Sequence, residues 1–202
     1  MLLADEIVRF DDAPAPPGAS PWVGGAEPAR DIAVVPWDPQ WPAVFTALTS
    51  MIERALGDRA LEIEHVGSTS VPGLPAKPVI DIDLVVADSA DEASYVPALE
   101  AAGFVLRVRE PWWYEHRCLV REEPRCNLHV FSPDCAEAAR HRIFRNWLRQ
   151  DDADRDRYSR AKRAAAAAAN ERGEHVMEYN ARKQDVVRQI YDRAFRAAGL
   201  VT

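Results

Sequence analysis

The sequence contains no apolar run long enough to cross a membrane and no surplus of basic residues. A membrane-spanning helix needs about 20 consecutive apolar residues, and the N-terminal MLLADEIVRF carries acids where a signal peptide carries bases. Lysine and arginine total 25 against 32 acidic residues, so the net charge is −7. We therefore expect no membrane partner, and the charge disfavours a surface built throughout to bind nucleic acid.

Cysteines are also few, and their spacing excludes the common metal-binding and redox motifs. Cys118, Cys126 and Cys135 lie eight and nine residues apart, so none belongs to a C-x-x-C motif. We predict reduced thiols in a cytoplasmic protein. Hydrophobic residues make up 48% and charged residues 28% of the chain, which is typical of a folded globular protein and not of a disordered one.

Proline and glycine divide the chain into three parts. Residues 1–30 hold five of the fifteen prolines and three of the nine glycines, which predicts an arm or linker that sustains no helix. Pairing of residues 1–10 as an edge strand stays open. Residues 134–198 contain no proline and one glycine, and their apolar spacing is helical. We predict an N-terminal arm over 1–30, an α/β core over 31–133 and a helical C-terminal subdomain over 134–202.

Within the core the apolar pattern alternates between strand and helix periods. The predicted helices cover residues 41–56 and 91–103. The strand candidates are 32–37, 61–66, 79–86, 104–110, 115–122 and 126–131. Because too few residues separate the last three candidates for another helix, we expect them to form an antiparallel meander. The predicted fold class is α/β (α+β), with a mixed sheet of five or six strands followed by helices.

The residues that carry chemistry are concentrated between positions 66 and 84. Gly67 permits a sharp turn after a strand, and the next three residues offer hydroxyl and backbone N–H groups to phosphate oxygens. These residues are Ser68, Thr69 and Ser70. Asp81 and Asp83 follow two residues apart on a strand, so both carboxylates point to the same side. Two such carboxylates in one cleft favour a bound Mg²⁺, which takes carboxylates together with substrate phosphates.

The segment EHVGSTSVPGLPAKPVIDIDLVV resembles the hallmark of the GrpB family. Its apolar residue, Gly-Ser pair, spacer and Asp-x-Asp strand are similar to the signature of the nucleotidyltransferase superfamily, whose fold is polymerase β-like. The resemblance continues through VPWDPQWPAVF, EHR, NLHVFSP and FRNWLR and covers about residues 31–195. The resemblance implies a nucleotidyltransferase-like mixed sheet. It also implies a protein that, with Mg²⁺, transfers a nucleotidyl group from a nucleoside triphosphate to an unknown small-molecule or macromolecular acceptor.

The resemblance also implies a third acid, at a position where this sequence has a histidine. Active nucleotidyltransferases normally supply a further carboxylate from a neighbouring strand, and His129 occupies that place in the strand from Asn127 to Phe131. The predicted catalytic residues are therefore Asp81, Asp83 and His129, with the two aspartates as metal ligands. Glu64 and Glu115 are the nearest alternative acids.

Residues around this segment complete the predicted nucleotide site. The predicted nucleotide-binding residues are Gly67, Ser68, Thr69, Ser70, Lys77, Arg117, Tyr158, Lys162 and Lys183. Strand alternation places Glu115 and Arg117 on one face and His116 on the other, and which face lines the cleft stays open. Tyr158 and Lys162 share a helix face, and so do Tyr179 and Lys183. Each pair is consistent with a contact to the nucleotide and equally with a surface lysine whose side chain covers a buried tyrosine.

Three functions remain open at this point. The first is nucleotidyl transfer, and the second is binding of a nucleotide or a protein without catalysis, which the missing third acid favours. The third follows from a resemblance to fungal GrpB-like proteins linked to cyclodipeptide synthesis from aminoacyl-tRNA. The acidic composition disfavours a nucleic-acid partner, while tRNA stays open as one. His141 and His175 show no partner in the sequence.

Overall fold

The computed structural model describes residues 2–10 and 15–201. It contains a five-stranded sheet and six α-helices within those ranges. The strands are β1 (Glu62–Val66), β2 (Ile80–Val85), β3 (Val105–Glu110), β4 (His116–Glu122) and β5 (Arg125–Phe131). The helices are α1 (Ala4–Val8), α2 (Trp41–Leu56), α3 (Val96–Ala101), α4 (Ala136–Gln150), α5 (Asp152–Glu171) and α6 (Val176–Ala197). None of the helices in the described ranges is long and apolar enough to span a membrane.

The sheet is mixed and has the strand order β1-β2-β5-β4-β3. Strand β2 pairs in parallel with β5, and every other neighbouring pair is antiparallel. The predicted α/β fold class, with its antiparallel meander and its helical C-terminal section, is therefore confirmed. In the parallel pair, Asp81 lies opposite Asn127 and Asp83 lies opposite His129, so four polar residues share one face of the two central strands.

Strand alternation separates an apolar face of the sheet from a polar one. On the apolar face, fully buried side chains of β2 and β5 pack with those of α2 and α3. This cluster includes Leu48, Ile52, Ile82, Leu84, Leu99 and Leu128. The opposite face carries Asp81 and Asp83 towards the long C-terminal helices. Side chains of these helices pack with Val71 and Leu74 in a separate apolar cluster, in which Leu148, Tyr158 and Ile190 are also buried. The polar face is thus enclosed between the sheet and the helices.

Three local predictions need correction. Residues 32–37 form no regular strand, and Val35 makes a single bridge with Ala76. The helix predicted over 91–103 is limited to α3 after a short 3-10 turn, because Pro97 suits only a first helical turn. The N-terminal part does contain a five-residue helix, α1, whose first turn is capped by the Glu6 side chain accepting from the Leu3 N–H. Residues 1 and 11–14 of the predicted arm lie outside the described residues.

Candidate functional site

The polar face of β2 and β5 opens onto a cavity of about 330 Å³ between the sheet and helices α5 and α6. We call it the Asp81 cavity. Among the residues that line it are Gly67, Ser68, Thr69, Lys77, Asp81, Asn127, His129, Tyr158, Lys162, Tyr179 and Lys183. The structure therefore brings together most of the residues that the sequence predicted for nucleotide binding.

The turn after β1 packs directly against Asp81. Gly67 has a φ of +65°, and a Cβ added there would lie 2.3 Å from Asp81 Oδ2. Thr69 and Ser70 are buried, and their hydroxyls are bonded locally, to His65 Nε2 at 3.0 Å and to the Gly67 carbonyl oxygen at 2.6 Å. The predicted cradle of three hydroxyls is thus reduced to Ser68, whose side chain keeps partial exposure at the cavity.

Asp81 presents a partly open carboxylate to the cavity. Its side chain is 30% exposed, and Oδ1 accepts a hydrogen bond from Asn127 Nδ2 at 2.8 Å, with His129 Nε2 at 4.0 Å. Burial opposes ionisation of this group, but His129 and Asn127 outweigh it and lower the pKa of Asp81. Asp81 is therefore a carboxylate at neutral pH.

Asp83 lies on the same side of β2, as predicted, but in a closed environment. Its side chain is 3% exposed, and His141 Nδ1 on α4 donates to its two oxygens at 2.9 and 3.1 Å. His141 Nε2 is also 3.4 Å from Glu137 Oε1. Burial disfavours the imidazolium, but the two acids outweigh it and raise the pKa of His141 to about 10. Asp83 is thus one partner of a charged pair.

Two further histidines extend this polar network along the sheet. His116 Nε2 lies 3.0 Å from His129 Nδ1, and His116 Nδ1 lies 2.8 Å from Glu110 Oε2. Burial lowers the pKa of His116 to about 4, so this ring is neutral under ordinary conditions. His129 stands beside Asp81 in the place predicted for a third acid, and it is held there by a hydrogen bond to a neutral histidine.

The alternation of β4 places His116 on the cavity side and Arg117 on the other face. Arg117 is 4% exposed and donates to Glu92 at 2.5 Å and to Glu115 at 3.3 Å. This pairing does not fit the predicted contact between Arg117 and phosphate in the cleft. The alternative third acids are also engaged elsewhere, since Glu115 pairs with Arg117 and Glu64 pairs with Arg145 at 2.6 Å.

The lysines form the positive wall of the Asp81 cavity. Lys183 Nζ lies 4.7 Å from the centre of the Tyr179 ring and 3.3 Å from the Tyr158 hydroxyl. Lys77 Nζ lies 5.4 Å from the Tyr179 ring, and Lys162 Nζ donates to the Pro75 carbonyl oxygen at 2.6 Å. Burial and then the nearby Lys183 hold the pKa of Lys162 well below its ordinary value. An anion bound in the cavity would reduce the charge repulsion among these three lysines.

The composition of the chain carries a signal for this positive wall. The chain has only three lysines among its 25 lysine and arginine residues, and all three line the same cavity. His141 was missed as well, although its spacing from Glu137 puts the two on one helix face. Asn127 was missed because the sequence of one strand does not show which residue of the adjacent strand will lie opposite it.

The donor set at the cavity fits one Mg²⁺ better than two. Among residues 2–10 and 15–201, no group of three or more His, Cys, Asp or Glu side chains is arranged to hold a metal ion. Asp81 offers one partly exposed carboxylate, whereas both oxygens of Asp83 accept from His141. Mg²⁺ is commonly held by one or two carboxylates and by substrate phosphates. The residues therefore suit a cation that arrives with a phosphorylated ligand.

Comparison with known proteins identifies the family. The family model described as GrpB protein matches residues 31–193. The chain belongs to the GrpB family. A UPF0157 protein of Halalkalibacterium halodurans is 47% identical over 173 residues, which cover 85% of this chain and 87% of that protein.

Solved structures agree with this assignment. The crystal structure of the conserved protein GrpB from Enterococcus faecalis matches 82% of this chain and 99% of that chain, with a TM-score of 0.71 and 26% identity. The Cid1 poly(U) polymerase matches 57% of this chain and 41% of that one, with a TM-score of 0.39 and 11% identity.

Proposed function

We propose that this GrpB-family protein binds a nucleoside triphosphate in the Asp81 cavity and transfers its nucleotidyl group to an acceptor hydroxyl or phosphate. The observation that supports this most directly is the convergence of Lys77, Lys162 and Lys183 on the cavity that holds Asp81. Three lysine side chains beside one partly open carboxylate suit a triphosphate that carries a divalent cation, because phosphate oxygens favour the ammonium form of lysine.

The lysines, Ser68 and Asp81 have separate roles in this proposal. The lysines neutralise the phosphates, Ser68 donates to a phosphate oxygen, and the Tyr158 and Tyr179 rings border the same cavity. When bound, Mg²⁺ on Asp81 would neutralise charge on the departing pyrophosphate. The acceptor oxygen forms a bond to the α-phosphorus, and the bond from that phosphorus to the α,β-bridging oxygen breaks. Pyrophosphate leaves, and the acceptor proton passes to water.

A second candidate function is nucleotide binding without transfer. It is favoured by the pairing of Asp83 with His141 and by His129 in the place of a third acid. Both candidates require the same ligand, so binding is tested first and turnover then separates them.

Binding is tested by isothermal titration calorimetry with ATP, GTP, CTP and UTP, with and without Mg²⁺. The Lys183→Met variant removes one cavity charge, and Arg182→Met is its matched control because Arg182 pairs with Glu174 outside the cavity. We expect the first change to weaken binding about tenfold or more, since a hydrogen bond to a charged group contributes roughly 1.5–3 kcal/mol. We expect Asp81→Asn to remove the effect of Mg²⁺. Absence of binding by every triphosphate would refute both candidate functions.

Turnover is then measured as pyrophosphate release from the triphosphate that binds, in the presence of a cell extract depleted of protein and nucleic acid. Release that requires Asp81 and transfers an α-³²P label to a new compound would support nucleotidyl transfer. Tight binding with no transfer to any compound, in this extract or in one that retains RNA and protein, would establish the second candidate instead.

A further inference from the structure

A second cavity of about 830 Å³ adjoins the Asp81 cavity. We call it the aromatic cavity, because its walls include Phe10, Trp112, Phe144 and Tyr191. The two cavities share lining residues, among them Ser68, Tyr158 and Lys183. A molecule in the aromatic cavity would therefore lie next to the site proposed for the triphosphate.

The N-terminal part of the chain forms one wall of the aromatic cavity. Phe10, Ala15 and Pro21 line it, and the Phe10 ring packs against Tyr191 on α6 with ring centres 5.1 Å apart. The family match begins at residue 31. This wall is thus contributed by a part of the chain outside the GrpB match.

Arg140 on α4 holds the N-terminal wall in place. It is 1% exposed, and its guanidinium donates to the carbonyl oxygens of Glu6 at 2.9 Å, Ile7 at 2.7 Å and Arg9. It also donates to Glu137 at 2.5 Å. A buried cation with this many partners fixes the backbone beside it. The part of the wall that ends at Phe10 is therefore anchored to α4.

We infer that the aromatic cavity is the acceptor site and that it takes a small organic molecule with an aromatic or apolar body. This inference rests on the proposed function. The hydroxyl or phosphate of that molecule would point to Ser68 and Lys183, where the two cavities meet. The volume of the cavity is within the range of about 300–1,000 Å³ that is typical of small-molecule sites.

Several charged groups on the wall of the aromatic cavity are paired within the protein. Glu110 Oε2 lies 2.8 Å from His116 Nδ1, and Glu137 accepts a hydrogen bond from Arg140. Two arginines of this cavity are committed to the protein itself, Arg140 to the N-terminal carbonyls and Arg145 to Glu64 at 2.6 Å and the His65 carbonyl oxygen at 2.8 Å. An aromatic body is the part of an acceptor that these walls recognise.

The test uses the fluorescent probe 1-anilinonaphthalene-8-sulfonate, a small aromatic anion, with the full chain. Ala181→Trp fills the aromatic cavity from an exposed position on α6 that does not line the Asp81 cavity. Ala167→Trp on the exposed side of α5 is the matched control. We expect one probe per chain, a loss of affinity of about tenfold or more in Ala181→Trp, and less than about twofold in the control. Thermal melting establishes that both variants are folded.

Competition and calorimetry complete the test. We expect ATP with Mg²⁺ to bind the wild type and Ala181→Trp alike and to leave the probe bound. Probe affinity that is unchanged in Ala181→Trp would overturn the inference, and so would displacement of the probe by tRNA. If no triphosphate binds while the probe still responds to Ala181→Trp, the small-molecule pocket stands and its role as acceptor site is refuted together with the proposed function.

Discussion

His141 Nδ1 donates to both carboxylate oxygens of Asp83, at distances of 2.9 and 3.1 Å. The contact ties helix α4 to strand β2, and it balances a carboxylate that is 3% exposed. Because a buried charge is tolerated only when it is paired, the contact with His141 is the partner that the closed position of the Asp83 side chain requires. It also makes the stability of the fold dependent on the protonation of one histidine.

We predict that the His141–Asp83 pair stabilises the protein less as pH rises. The pKa of His141 is raised to about 10 in the folded protein, against about 6.5 for an unfolded histidine. Its contribution is therefore fully present below pH 6.5 and is lost as pH rises from about 6.5 to 10. Urea unfolding should show that His141→Gln lowers the free energy of unfolding at pH 6 by an amount on the order of 2–4 kcal/mol, and much less at pH 10.

The matched experiment repeats this comparison in a chain that carries Asp83→Asn. Without the carboxylate, the effect of His141→Gln should vary less with pH, because only Glu137 remains beside the ring. An effect of His141→Gln that is the same at pH 6 and pH 10 in the wild-type background would contradict the assignment of a protonated His141.

We predict that Gly67→Ala damages both stability and the site, whereas Gly73→Ala affects stability alone. Both glycines have positive φ values, +65° and +79°, but only at Gly67 would the new Cβ meet another residue, lying 2.3 Å from Asp81 Oδ2 and 2.9 Å from its Cβ. Gly73→Ala should cost about 1 kcal/mol for backbone strain. Gly67→Ala should cost about 2 kcal/mol more, because Asp81 must move.

Urea unfolding and nucleotide titration of the two glycine variants check this prediction. Weakened nucleotide binding in Gly67→Ala, with normal binding in Gly73→Ala, is the expected pattern. Equal losses of stability in the two variants would mean that the turn and Asp81 are not in contact.

Local patterns in the sequence were sufficient for most of the fold. The alternation in β2 predicted that Asp81 and Asp83 share a face, and the short connections from residue 104 to 131 predicted the meander, because both depend on neighbours along the chain. Residues 32–37 were apolar enough for a strand, but only Val35 found a partner, at Ala76. A segment forms a strand only where the edge of a sheet is free to pair with it, and the sequence of the segment alone does not show whether such an edge exists.

The site was harder to predict because its contacts join distant parts of the chain. The face on which Arg117 lies depends on Glu92, which is 25 residues away. Both carboxylate oxygens of Asp83 are bonded to His141, which is 58 residues away. The convergence of Lys77 from a loop with Lys162 on α5 and Lys183 on α6 likewise depends on tertiary packing, but the rarity of lysine among the basic residues was visible in the composition.

We predict that Lys162 titrates well below the ordinary lysine value and that a bound triphosphate raises its pKa. Burial and the neighbouring Lys183 disfavour its ammonium form, whereas phosphate oxygens would favour it. The chain has three lysines, so selective ¹³C-lysine labelling gives three resolvable side-chain signals in an NMR titration. Lys162→Met assigns the signal.

The titration is repeated with ATP and Mg²⁺. An upward shift of the pKa of Lys162 is expected, and Arg182→Met serves as a control that leaves the cavity unchanged. Titration of all three lysines near their ordinary value, with or without nucleotide, would contradict a buried lysine cluster.

We predict that Arg140→Gln releases the N-terminal wall, whereas Arg142→Gln on the same helix does not. Arg140 is 1% exposed and supplies donors to carbonyl oxygens of α1 and to Glu137. Arg142 pairs only with the exposed Glu62 among the contacts of the described residues.

Losing the Arg140 guanidinium leaves the buried carbonyl oxygens without this donor and Glu137 with His141 as its remaining partner, which costs roughly 3 kcal/mol, whereas an exposed pair contributes roughly 0–1 kcal/mol. Hydrogen exchange measures the difference directly. The amides of residues 5–9 should lose protection in Arg140→Gln and keep it in Arg142→Gln, and probe binding to the aromatic cavity should weaken in the first variant alone. Retained protection in Arg140→Gln would mean that the packing of Phe10 against Tyr191 is sufficient to hold the wall.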